Sequence, residues 1–324
     1  MRFKRKSAIF RRLLGVVLVV ALIVVVVNHQ TVSDFVRGAF YTPSERMLEI
    51  RDGLGLSGKG ALIFNASRPE LNNEQDFNAN CLSFSDEDAI LGCYKGQRIY
   101  VYVINSEELD GIMELATAHE LLHAVYERMP IWERDRLRKL LEAVYKNSRD
   151  ILEKEIESYS ADEQMEELYV RIGTEIKKLP DTLEEHYAQI FKDQDRIVDY
   201  YEKYIGVFRR LEAEFKTLEA EMEELKGQID AKSAEYKIRS EQLNSSIYEF
   251  NNCANRANCF GSEAEFNAKR RNLLSTQAEL KNLYDEIDSL INQYNSDVEK
   301  YNSTVVRSKN LQNIINSHVV VEGI

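Results

Sequence analysis

The sequence predicts an α+β domain with a small sheet, preceded by one transmembrane helix and followed by a long antiparallel α-helical coiled-coil hairpin. Three observations predict it: an uncharged apolar run near the N-terminus, strand patterns giving way to helix patterns between 43 and 193, and an apolar heptad from 194 to 315. The 324 residues leave room for about two domains. A chain with 44% hydrophobic and 30% charged residues suits a globular domain joined to a polar helical element. The net charge of -12 argues against nucleic acid as a partner.

The N-terminus is read first. "MRFKRKSAIFRR", residues 1–12, is a basic tail expected on the cytoplasmic side, and "LLGVVLVVALIVVVV", residues 13–27, is the expected anchor. Fifteen helical residues span roughly 22 Å, so Ala8 to Phe10 extend the span while Arg11 and Arg12 snorkel. A cleaved signal peptide is the alternative, but no A-x-A site follows. The positive-inside rule then places everything after residue 28 outside a cell membrane crossed once. Residues 28–42 are a linker.

Cys81, Cys93, Cys253 and Cys259 form two local pairs. An even count in an exported chain favours disulfides, and proximity favours Cys81–Cys93 and Cys253–Cys259.

From 43 to 193 the periodicity is mixed. "SERMLEIRDGLG" reads as a helix capped by Ser44 and ended by Gly53. "GALIFNAS" reads as a strand, "NCLSF" and "AILGCY" as two strands around "SDEDA", and "QRIYVYVI" as the clearest strand. From 106 the pattern is helical, with breaks at Pro130 and Pro180. From 194 to 315 apolar residues step by four and three, from Ile197 to Phe250 and again from Leu280 through Tyr284, Ile287 and Ile291 to Val305. "NNCANRANCFGS" separates the runs, which suggests a helical hairpin stapled at its tip, with pairing between chains as the alternative. Residues 316–324 are a tail. The arm offers a surface for a protein partner or for self-association.

The chemistry concentrates in "TAHELLHAVYERM". Positions i and i+4 of a helix share a face, so His119 and His123 can present two imidazole nitrogens to one Zn²⁺. Glu120, beside the first, can take a proton from the metal's water. With five His in the chain, a chance H-E-x-x-H is on the order of 1%. A third ligand must come from elsewhere. Spacing alone leaves Glu163, Glu166, Glu167 and Glu175 open, all on the helix whose apolar side carries Leu168, Tyr169 and Ile172. His186 and Tyr187, in "EEHYAQ", are candidate donors to the tetrahedral oxyanion.

"AHELLHA" resembles the active helix of zincin metallopeptidases, and "IYVYVI" resembles the edge strand along which they lay substrate. No third histidine follows, unlike the metzincin pattern. "MEELYVRIGTE" is similar to the gluzincin N-E-x-x-S-type segment, with Glu166 for Asn and Val170 for Ser; the resemblance implies Glu167 as the third ligand. Together "HELLHA", "GTE" and "LEEHYAQIFKD" resemble membrane-anchored bacterial metallopeptidases over roughly residues 98–195. The resemblance implies a zincin-like domain at 43–193 and metal-assisted hydrolysis of peptide bonds in extracellular or envelope polypeptides. A zinc-binding scaffold that serves the coiled coil, and a cell-wall amide hydrolase, are the alternative expectations.

Overall fold

The computed structural model describes residues 29–81, 91–157, 159–160 and 163–316. It corrects the expected fold class. The described residues form eleven helices and one three-stranded sheet, so helices dominate and strands are a minor component. Among the described residues no helix is long and apolar enough to cross a membrane. The anchor expected at 13–27 lies outside the described residues. The single-pass architecture and the cell-membrane placement built on it find no support in the described residues.

The chain has two compact units, one holding the described residues up to Val207 and from Gln312, the other Phe208–Leu311. In the first, helices α1 (His29–Ala39), α2 (Glu45–Leu54) and α3 (Gly58–Ser67) precede strand β1 (Glu70–Asn72). Ser44 caps α2 by accepting from the Met47 amide. The helix ends at Gly55, in the left-handed conformation, and not at Gly53. "GALIFNAS", expected as a strand, is α3. Ser57 caps it, accepting from the Gly60 amide, and this start signal outweighs the strand-like composition.

Helix α4 (Glu74–Cys81) follows, then β2 (Gly92–Lys95) and β3 (Arg98–Tyr102). Cys81 thus ends a helix where "NCLSF" was expected as a strand; the rest of that stretch and "SDEDA" lie outside the described residues. The strand order is β1-β3-β2, with β1 parallel and β2 antiparallel to β3. "IYVYVI" therefore supplies the central strand, not the edge. Its Ile99 and Val101 are fully buried, as a strand flanked on both sides requires. The edges are β1 and β2, and β2 is tied to α4 by the Cys81–Cys93 disulfide.

Helix α5 (Ile112–Arg128) carries the histidines and is buried almost all round, which makes it the core of the unit. Pro130 precedes α6 (Ile131–Asn147); α7 (Arg149–Glu157), α8 (Gln164–Glu175) and α9 (Asp181–Ala188) complete the domain. Helix α8 packs closely on α5 because Gly173 lacks a side chain. A Cβ there would lie 2.6 Å from Leu122 and 2.5 Å from Tyr187.

Helices α10 (Gln194–Ala254) and α11 (Glu263–Ile315) form the second unit from Phe208 to Leu311. They run antiparallel: Thr304 meets Glu214, Lys232 meets Glu286 and Arg239 meets Glu279. Cys253 and Cys259 are bonded at the turn. The buried seam of α11 is Leu280, Leu283, Ile287, Asp297, Thr304 and Leu311; Tyr284 and Ile291 of the expected seam are exposed. Steps of three-four and four-three both fit a heptad from Leu280, and the facing helix selects the former.

Candidate metal centre

Residues four apart on α5 put His119 and His123 on one face, with ring centroids 5.1 Å apart. Opposite them α8 presents Glu167, whose side chain is 1% exposed. Its Oε1 lies 3.7 Å from His119 Nε2 and its Oε2 lies 3.4 Å from His123 Nε2. One ligand atom from each of the three falls within 4.8 Å of the others. Metal–ligand bonds of about 2.0–2.2 Å in a tetrahedron put ligand atoms roughly 3.3 Å apart. The group thus fits a small divalent cation once its ligand atoms close on it, and its donor set, two imidazoles and a carboxylate, suits zinc.

The other glutamates of α8 have different work. Glu166 Oε1 lies 2.9 Å from His123 Nδ1, which leaves Nε2 turned to the cluster. Arg171 donates from Nε to Glu167 Oε1 (2.6 Å) and from its terminal nitrogen to Glu175 Oε1 (2.9 Å). Glu163 accepts from the Ser160 hydroxyl at the helix start. Of the four carboxylates left open by spacing, Glu167 alone joins the two histidines. Its burial is the signal the sequence lacks, since a glutamate on a helix is ordinarily solvated.

Electrostatics follow from this packing. Burial pushes His119 down to about 3. Against burial, the bonds with Glu166 and Glu167 push His123 up to about 10. Against burial again, His119, His123 and Arg171 hold the Glu167 carboxyl down at about 2. Burial pushes Glu120 up to about 7, and Glu167 nearby adds to it, while the Tyr94 amide and His123 act the other way. A Cβ at Gly92 would come 2.7 Å from Glu120 Cγ, so glycine in the edge strand is what lets Glu120 lie against it.

These groups line a cleft of about 630 Å³ that also holds Tyr94, Tyr159, Arg171, Tyr201 and Tyr204. The Tyr102 amide donates to the Leu91 carbonyl, and the register pairs Gly92 with Val101 and Tyr94 with Ile99. Because hydrogen-bonded and non-bonded pairs alternate, Gly92 and Tyr94 turn their main-chain groups away from β3 and toward the cleft.

His186 and Tyr187 are not brought to this cleft. His186 Nε2 lies 3.1 Å from the Tyr169 hydroxyl, and the Tyr187 hydroxyl donates to the Tyr169 carbonyl at 2.6 Å. Both are buried behind α8, on the side of Tyr169 and Ile172. The expectation that they donate to an oxyanion is corrected. Tyr159, which sequence reasoning missed, does reach the cleft beside Arg171. It precedes α8 and belongs to no periodic pattern that would single it out.

Comparison with known protein families, curated proteins and solved structures finds no match, so the functional reading rests on this geometry.

Proposed function

We propose that the chain is a zinc-dependent peptidase whose metal would be held by His119, His123 and Glu167. The observation that carries this reading is the buried Glu167 carboxylate between two histidine Nε2 atoms, with Glu120 lining the same cleft. When bound, zinc supplies a Lewis acid that polarises a carbonyl and acidifies a water.

The chain's own groups do the rest. Glu120 accepts the proton of the attacking water and passes it to the leaving amine, acting first as base and then as acid. Tyr159, held beside Arg171, stands at the cleft as a donor to the negative charge that develops on the scissile carbonyl oxygen. The outward main-chain groups of Gly92 and the Tyr94 carbonyl can add an extended peptide to β2, since that strand is an edge. Glu166 orients His123 and acts only through it.

Metal analysis with a peptide-library digest tests the reading. The full chain should bind close to one zinc, and His119→Ala and His123→Ala should lose it. Glu120→Gln should keep zinc and lose hydrolysis by at least about 100-fold, because an amide cannot take the proton. Equal activity of Glu120→Gln and wild type, or full zinc occupancy in the double histidine variant, would overturn it.

A further inference from the structure

The cleft has two ends of different chemistry. At the metal end stand the imidazoles, Glu120, Glu166 and Glu167. The other end is built by Leu115 and Ala116 of α5, Thr174 of α8, and Tyr201, Tyr204 and Ile205 from the first turns of α10. All of these lie in the unit that ends at Val207.

We infer that this end is a specificity subsite for one large apolar or aromatic substrate side chain flanking the scissile bond. The inference rests on the peptidase reading above and names the substrate class it acts on.

Placement comes first. Leu115 is four residues and Ala116 three residues before His119, so both share its helix face, about one turn or 5–6 Å away. On α8 the corresponding step runs the other way, from Glu167 through Arg171 to Thr174. Both helices therefore carry the floor of the cleft away from the metal, by one turn on α5 and by two turns, about 10 Å, on α8. A peptide bond held at the metal would put a neighbouring side chain over this floor.

Composition decides what that side chain is. The floor residues Ala116 and Thr174 are small, which leaves depth, and the walls are aromatic and aliphatic. Glu175 lies at this end and is the group that would select a basic residue. Its carboxylate is already paired with Arg171 at 2.9 Å, and Arg171 is in turn held by Glu167 at 2.6 Å. The charges at the boundary thus satisfy each other. What remains to meet a substrate is mostly ring and alkyl surface, in a cleft whose volume falls within the usual range of about 300–1,000 Å³ for ligand sites.

The wall is also fixed in place. Tyr200, on the same helix but turned from the cleft, donates to the Gly53 carbonyl at 3.3 Å. Gln194 donates to the carbonyls of Gly173 and Ile176, both at 3.0 Å, and Lys203 pairs with Asp110 at 2.6 Å. Side chains held this way select by shape and do not simply yield to the ligand.

The test is a digest of a random peptide library by the zinc-loaded full chain, followed by kinetics on the best peptide. Cleavage should require Phe, Tyr, Leu or Met at one fixed position beside the bond. Ala116→Trp fills the floor; it should move that preference to Gly, Ala or Ser and lower kcat/KM on the best peptide by about 10-fold or more. Tyr204→Ala should weaken the same preference about 10-fold. Both should keep the wild-type zinc content, which separates the effect from misfolding. Without turnover, zinc-loaded Glu120→Gln protein should bind the best peptide about 10-fold more tightly than its Gly analogue. Preference for Lys or Arg, a flat profile, or variants that leave the preference unmoved would overturn the subsite while leaving the peptidase intact. No cleavage at all by the zinc-loaded wild type would overturn the peptidase reading and the subsite with it.

Discussion

The domain around α5 and the arm of α10 and α11 use the same charged residues in opposite ways. Around α5 several of them are sheltered and bonded more than once. Arg128 and Asp34 have side chains 7% and 5% exposed and share three hydrogen bonds, and Glu167 is reached by two histidines and an arginine. In the arm the charges are many and open to water; Lys281 and Asp285 are 73% and 56% exposed. A charge taken out of water must be met by partners, whereas an exposed pair gives back little more than water already gave. The difference teaches where a substitution is informative. A sheltered charge in the domain answers to a specific partner, while an exposed one in the arm answers mainly to solvent.

The strongest way to break this comparison is to strand a charge in the domain. Asp34→Ala leaves the Arg128 guanidinium buried without its carboxylate. What remains is the Tyr94 hydroxyl and the Ala124 carbonyl at 2.9 and 2.8 Å, both neutral, and the half-exposed Glu127 carboxylate at 3.9 Å. The expected loss is about 3–5 kcal/mol in urea unfolding of the full chain. The double variant Asp34→Leu, Arg128→Met should recover most of it, because an apolar pair carries no desolvation cost. A single variant that unfolds like wild type would show the pair to be solvated after all.

A smaller effect is expected where the shelter is partial. Glu166 is 36% exposed, yet it holds His123 Nδ1. Glu166→Ala should leave the fold unchanged and weaken zinc binding by about 10- to 100-fold, the usual cost of losing a carboxylate that orients a ligating histidine. Glu166→Gln, which keeps an acceptor, should recover part of the loss. Competition with a chelator reads both. Loss of metal as complete as in His123→Ala would mean that Glu166, not Glu167, is the ligand.

How much of this could be read from the sequence follows the same division. The face shared by His119, Glu120 and His123 is a local property of one helix, and four-residue spacing states it directly. Glu167 could be proposed only from resemblance, because what distinguishes it from Glu163, Glu166 and Glu175 is burial against α5. That burial depends on Gly173 letting two helices meet, a long-range fact. His186 and Tyr187 show the converse. Their chemistry suits an oxyanion, but the register of α9 turns both toward Tyr169. "GALIFNAS" has strand composition, yet Ser57 starts a helix there. In the arm, two heptad registers fit Leu280 equally well. Apolar content pointed to Tyr284 and Ile291, while packing against α10 buries Leu283, Asp297 and Thr304 instead.

The arm gives the smallest expected effect, and it sharpens the comparison from the other side. Arg239 pairs with Glu235 along its own helix at 3.1 Å and with Glu279 across the hairpin at 2.6 Å, as good a geometry as any pair in the domain. If geometry alone set the strength of a pair, Arg239→Ala would cost as much as Asp34→Ala. Its side chain is 33% exposed and its partners are 51% and 58% exposed, so water screens both bonds and replaces them when they are lost. The expected loss is under about 1 kcal/mol, most of it abolished in 1 M salt, where the screening length falls to about 3 Å. Thermal unfolding of the full chain at low and high salt, followed by the loss of arm helicity, measures it. A salt-independent loss as large as that of Asp34→Ala would mean that the arm buries its charges as the domain does.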